Sequence, residues 1–142
     1  MKKFSLLIVI VLLLVFTKSY AQSTGSIMIG GGLDLLKSDN NNNIADKTQV
    51  GFEVNYFLLR NYSVTGGLEI WTQGNESLIL GMRWYPVENI FARFRGLIGE
   101  NEVSLGAGYW RNLDEHWRFE GMADLYFQGE IAFRVGVAYL FR

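Results

Sequence analysis

The residues of this sequence best suited to chemistry are guanidiniums and carboxylates in its second half: Arg83, Arg93, Arg95, Glu102, Arg118, Glu120, Asp124 and Arg134. The planar fork of arginine matches a carboxylate, so the chemistry on offer is bidentate ion pairing in an enclosed space. Arg93 with Arg95, and Arg118 with Glu120, are spaced by two, which on a strand puts both members on one face. Tight hairpins would bring Arg95 near Glu102 and Arg134 near Asp124. We expect these pairs to fill an interior as structural contacts; a narrow conduction path and a ligand site are the other uses of such a cluster.

Other candidate chemistry is thin. His116 is the single histidine, and spacing places no serine or acid with it, which gives a nucleophilic triad little support. The stretch Asp39-Asn40-Asn41-Asn42-Asn43 looks like the start of a calcium loop. Ile44 stands where the loop needs glycine, however, and Val50 where it needs an acid. Gly30-Gly31-Gly32 precedes no helical pattern, so it does not read as a phosphate cradle. Asn61-Tyr62-Ser63 and Asn75-Glu76-Ser77 match the glycosylation pattern, which arises often by chance. The chain has no cysteine, hence no disulfide framework and no thiolate metal site. The expectation is a protein without catalytic, cofactor-binding or metal-binding residues, and not an enzyme.

The elements that must position the charges are strands. Large apolar residues alternate with small or charged ones over 26–36, 48–58, 62–72, 77–85, 90–98, 102–110, 116–127 and 130–142. The last is the clearest: Ile131, Phe133, Val135, Val137, Tyr139 and Phe141 lie on one face, and Glu130, Ala132, Arg134, Gly136 and Ala138 on the other. The longest polar break is 37–47; the others are short, and the only proline, Pro86, is expected to open the turn 86–89. No helical period interrupts the pattern. Short breaks join only antiparallel neighbours, so the fold class is all-β, an eight-stranded antiparallel up-and-down barrel.

Either solvent, water or lipid, could see the apolar face. From Val50 onward that face carries no Asp, Glu, Lys, Arg, Asn, Gln or His. A charge there would cost roughly 2–4 kcal/mol at a bilayer midplane. The opposite face carries the charges and many glycines, as the inside of a narrow barrel requires. Lysine, the usual cation of a wetted surface, does not occur after Lys47. Aromatic residues gather at alternate strand ends. Tyr56, Tyr62, Trp84, Tyr109, Trp117, Tyr139 and Phe141, with Phe57, Tyr85 and Trp110, form one rim of a membrane-interface girdle. These features favour a transmembrane barrel over a soluble, lipocalin-like barrel that binds a lipophilic ligand.

At the other end of the chain, Met1-Lys2-Lys3 leads into an unbroken apolar run from Leu6 to Phe16 and then Ser19-Tyr20-Ala21-Gln22. That reads as a secretory signal peptide over residues 1–21, with one barrel domain over 22–142. Removing Lys2, Lys3 and Lys18 with it leaves a mildly acidic chain, and nothing suggests nucleic acid as a partner.

From residue 26 to Arg142 the pattern resembles the small outer-membrane β-barrel proteins of the OmpA/OmpX type. The resemblance rests on the alternating strands and on the closing Phe133, Val135, Val137, Tyr139 and Phe141, with Arg142 one residue beyond the terminal aromatic. It implies residence in the bacterial outer membrane, with lipid around the barrel and the outer-membrane assembly machinery as the reader of the last strand. It also implies that both termini and the aromatic rim face the periplasm. The role it implies is structural or envelope-interacting, with a narrow or gated pore as the alternative.

Overall fold

A computed structural model describes residues 23–37, 49–71, 74, 76–99 and 101–142. The expected signal peptide and the Asp39–Asn43 stretch lie outside these residues. Eight strands follow one another: β1 (Ile27–Lys37), β2 (Gln49–Leu59), β3 (Tyr62–Trp71), β4 (Glu76–Val87), β5 (Ile90–Ile98), β6 (Glu102–Asn112), β7 (Trp117–Tyr126) and β8 (Ile131–Phe141). Each pairs antiparallel with the next, and β1 pairs with β8, so the sheet closes into a barrel. Closure leaves no exposed ladder edge.

The registers impose a tilt. Followed from partner to partner, the row that leaves β1 at Ile27 reaches β8 at Ile131, two residues short of Phe133, whose own β1 partner is Leu36. The row thus returns near the opposite end of β1, which is the stagger a closed barrel of tilted strands needs. We call the end that carries Arg142 and the β2–β3, β4–β5 and β6–β7 turns the terminal rim, and the other end the loop rim.

Two turns differ from expectation. Pro86 does not open the β4–β5 turn but lies within β4, where the register shifts between Trp84 and Val87. A bulge tolerates proline because the ladder there does not need its missing N–H. The turn itself is Glu88-Asn89, with Asn89 at φ 67°, a left-handed position asparagine accepts more readily than most residues. Likewise β6 runs two residues past Trp110, because Arg111 and Asn112 pair with Phe119 and Arg118. At the loop rim, Gly129 at φ 94° turns β7 into β8.

Side chains alternate outward and inward along every strand. The outward row of β2 is Val50, Phe52, Val54, Tyr56 and Leu58, all exposed. Its inward row includes Gln49, Glu53, Asn55 and Phe57, all buried. Among the described residues no charged side chain faces outward between the rims; Glu76 and Arg111 do so only at the strand ends. The apolar face is outside and the charged face inside, the arrangement of a barrel whose outer solvent is lipid.

The interior has three layers. Near the terminal rim, Met28, Phe57, Tyr85, Phe91, Trp110, Met122, Ala138 and Leu140 pack into one apolar cluster. Near the loop rim a smaller cluster joins Ile79, Leu97, Tyr126 and Ala132. The charges lie between them. Phe57, Tyr85 and Trp110 therefore belong to the inner plug and not to the outer girdle. Each is one residue from an outward aromatic (Tyr56, Trp84, Tyr109), and one step along a strand reverses the face.

Candidate functional site: the lumen charge network

The middle layer is a network of four arginines and five carboxylates drawn from seven strands. Glu53 of β2 is its hub. Its Oε2 accepts from Arg83 Nη2 at 2.6 Å, and its Oε1 from Arg93 Nη1 at 3.4 Å and Arg95 Nη1 at 3.3 Å. Arg134 Nη1 lies 3.7 Å from the same oxygen. Arg83 also donates through Nη1 to both oxygens of Glu120, at 2.9 and 3.1 Å.

Arg93 forms a two-pronged pair with Asp124, Nε to Oδ1 at 2.8 Å and Nη2 to Oδ2. Arg95 reaches Asp124 Oδ2 at 3.2 Å and donates to the Tyr126 hydroxyl at 3.1 Å. Its Nη1 stands 3.7 Å from Glu69 Oε1. Arg134 donates from Nε to Asp34 and from Nη2 to Glu69. All nine residues are at most 4% exposed. Charges this deep persist only when paired, and each of the nine has a counter-charge here; Asp34 Oδ2, Glu69 Oε2, Arg83 Nε and Arg95 Nε have no hydrogen-bond partner among the described residues.

The local sequence explains the geometry. Arg83 and Arg93 are direct partners across β4 and β5, a like-charge juxtaposition that is unfavourable by itself. Glu53 reaches across the barrel and bridges them. Gly32 and Gly51 make room for Arg134: a Cβ on either would stand 2.8 Å from that side chain. Gly106 similarly clears Asp124, and Gly108 clears the Phe91 ring. Two arginines join the charge layer to the plug, Arg118 over the Trp110 ring at 4.3 Å and Arg83 over the Phe91 ring at 4.9 Å.

Of the residues expected from sequence, Arg83, Arg93, Arg95, Glu120, Asp124 and Arg134 meet in this network. Arg118 lies at its terminal edge. Glu102 lies toward the loop rim, in register with Leu97. The two expected pairs are corrected. The partner of Arg95 in register is Ser104, and its acids are Glu53, Glu69 and Asp124. Arg134 is in register with Met122 and Asp34, and its acids are Asp34, Glu69 and Glu53. Hairpin neighbours were the wrong guide because closure sets Asp34 beside Arg134 and because long side chains reach acids two or three strands away. Asp34, Glu53 and Glu69 complete the network, and their inward parity was the signal that marked them.

Packing leaves almost no free space. The void among Gly30, Gly51, Glu53, Arg83, Glu120 and Arg134 is about 10 Å³. That is about the space one water molecule needs. Among the described residues, the charge layer in the middle of the lumen is filled by side chains.

Outside, Tyr56, Trp84, Tyr109, Trp117 and Phe141 are exposed at the terminal rim, and Tyr62 and Tyr139 are half-buried there. Tyr139 holds three rings together: His116 stacks on it at 5.4 Å, and Trp117 and Phe141 meet it edge-on at 5.1 and 4.7 Å.

No family model matches the sequence, and no curated protein sequence matches it significantly. Solved structures that share its fold include the following two. A de novo designed transmembrane β-barrel aligns with a TM-score of 0.67 at 15% identity, over 84% of this chain and 98% of that one. Ail, the attachment invasion locus protein of Yersinia pestis, aligns with a TM-score of 0.50 at 12% identity, over 83% and 99%. The chain is an eight-stranded transmembrane β-barrel, similar in fold to small outer-membrane barrels.

Proposed function

We propose that the protein is exported through a cleaved signal peptide and resides in the bacterial outer membrane as a non-conducting barrel with a structural or envelope-interaction role. The observation that carries the reading is the filled lumen, where paired arginines surround a void of only about 10 Å³. The apolar outer band and the aromatic rim support lipid as the surrounding solvent. The closing strand, with Phe133, Val135, Val137, Tyr139 and Phe141 outward or half-buried and Arg142 beyond, is our candidate for recognition by the outer-membrane assembly machinery. In this reading the terminal rim faces the periplasm. The network of Arg83, Arg93, Arg95, Glu120, Asp124 and Arg134 serves as a structural core and not as a binding or catalytic site.

The test is planar-bilayer conductance of protein refolded into detergent, whose gel mobility should depend on boiling. The expected record is a silent bilayer. Steady single-channel steps would overturn the plugged reading and return the narrow pore.

A further inference from the structure

Inside the barrel, glycines are explained by what they touch; outside, two are not. Gly66 on β3 and Gly121 on β7 face outward, and an added Cβ would meet nothing within 4 Å. Neither has a left-handed φ that demands glycine. Glycine within a strand weakens it, so these positions call for a reason beyond the chain's own packing. Gly31 and Gly96 also face outward, where an added Cβ would meet a partner-strand carbonyl at 3.8 and 3.6 Å; Gly66 and Gly121 each floor a groove in the outer band.

The larger groove, about 560 Å³, crosses β6, β7 and β8. Its floor is Ala107, Gly121 and Ala123, and its walls are Tyr109, Phe133 and Val135. Two residues rimward of Tyr109 on the same outward face stands Arg111, a rise of about 7 Å along the strand. Arg111 is exposed and forms no ion pair among the described residues. The nearby turn carries Asp114 and Glu115, and the Asp114 carboxylate accepts the Glu115 backbone N–H. The second groove, over Gly66, has no such cation: Arg60, in the adjoining turn, is already engaged.

We infer that the Gly121 groove is a site for one phospholipid, with an acyl chain lying over Ala107, Gly121 and Ala123 and an anionic headgroup at Arg111. This rests on the membrane reading and adds a specific lipid to a general solvent. The groove begins at the aromatic rim and descends toward the middle of the band, which is the course of a chain in the leaflet that the terminal rim contacts. The unpaired arginine at headgroup level supplies the charge complementarity.

Native mass spectrometry of the detergent-extracted protein, titrated with phosphatidylglycerol or phosphatidylcholine, tests this. The wild type should retain one phosphatidylglycerol in preference to phosphatidylcholine. Arg111→Gln should lower that retention about five-fold, the worth of one arginine beside an anionic headgroup. Gly121→Leu fills the groove and should lower retention of both lipids by about ten-fold or more. Gly66→Leu, in the other groove, should leave retention unchanged. Equal retention of the two lipids by the wild type, or wild-type retention in both variants of this site, would overturn the site. Heat-dependent gel mobility read on the same samples separates that failure from failure of the barrel itself. If Gly121→Leu does not fold, Arg111→Gln and the lipid preference of the wild type still decide.

Discussion

The two ends of the lumen are closed by different physics. Toward the terminal rim, Phe57, Tyr85, Phe91 and Trp110 pack with Met28 and Leu140 into a dense apolar plug, with Phe57–Tyr85 and Tyr85–Phe91 ring centroids 5.5 and 5.6 Å apart. Toward the loop rim, Ile79, Leu97, Tyr126 and Ala132 share the space with Gln49, Ser77 and Ser104, whose buried polar atoms lack hydrogen-bond partners among the described residues. One end is stabilised by contact between apolar surfaces. The other is smaller and richer in buried polar side chains; in the plug the unpartnered polar atoms are Tyr85 Oη and Trp110 Nε1, carried on large rings. Between them the charge network couples the two, because Arg83 and Arg118 lie over rings of the plug while Arg95 bonds Tyr126 of the far cluster. The difference teaches that sealing and charge compensation are separate tasks here. The plug fills the terminal end with large apolar side chains, and the network keeps the arginines from being uncompensated.

Mutations can break or sharpen that contrast, read as unfolding free energies in urea with the barrel in detergent or vesicles. The largest effect should come from the middle: Glu53→Gln deprives Arg83, Arg93 and Arg95 of a shared acid and should cost about 3–5 kcal/mol. A loss below about 1 kcal/mol would mean that the hub is redundant. Next is the plug, where Leu140→Ala should cost about 2–4 kcal/mol through lost burial and the cavity left behind. The smallest should be at the loop end, where Gln49→Leu removes a buried amide whose two polar atoms have no partner among the described residues and should fall within about 1 kcal/mol of wild type. If Gln49→Leu proves as damaging as Leu140→Ala, the loop end is as tightly specified as the plug and the contrast fails.

Much of this was legible in the sequence, and the physics says why. Alternation in period two identifies strands and faces without any knowledge of partners, so the eight strands, their order and the choice of lipid-facing side could all be read from residue types. The purity of the outer face in apolar residues carried the solvent choice. The network was legible only in part. Face parity marks Asp34, Glu53 and Glu69 as inward, yet Glu53 and Arg93 are 40 residues apart and meet only because the barrel curls them together. Local spacing predicts hairpin neighbours, whereas these arginines take acids two or three strands away, and Arg134 takes Asp34 across the β1–β8 closure. Pro86 was misplaced for a different reason. A bulge relieves its missing donor within a strand, and a bulge leaves no mark in composition.

The bond between the first and last strands has a consequence in time. Arg134 belongs to β8, and its acids Asp34, Glu69 and Glu53 belong to β1, β3 and β2. Until the final strand is synthesised and docked, those three acids wait without one of their counter-charges, and no smaller set of strands reproduces the finished interior. An eight-stranded sheet that had not yet closed would lack the Arg134–Asp34 pair, because those residues are partners across the closing seam. Contacts this distant in sequence also form slowly. The interior of this barrel is therefore complete only when its last strand pairs with its first.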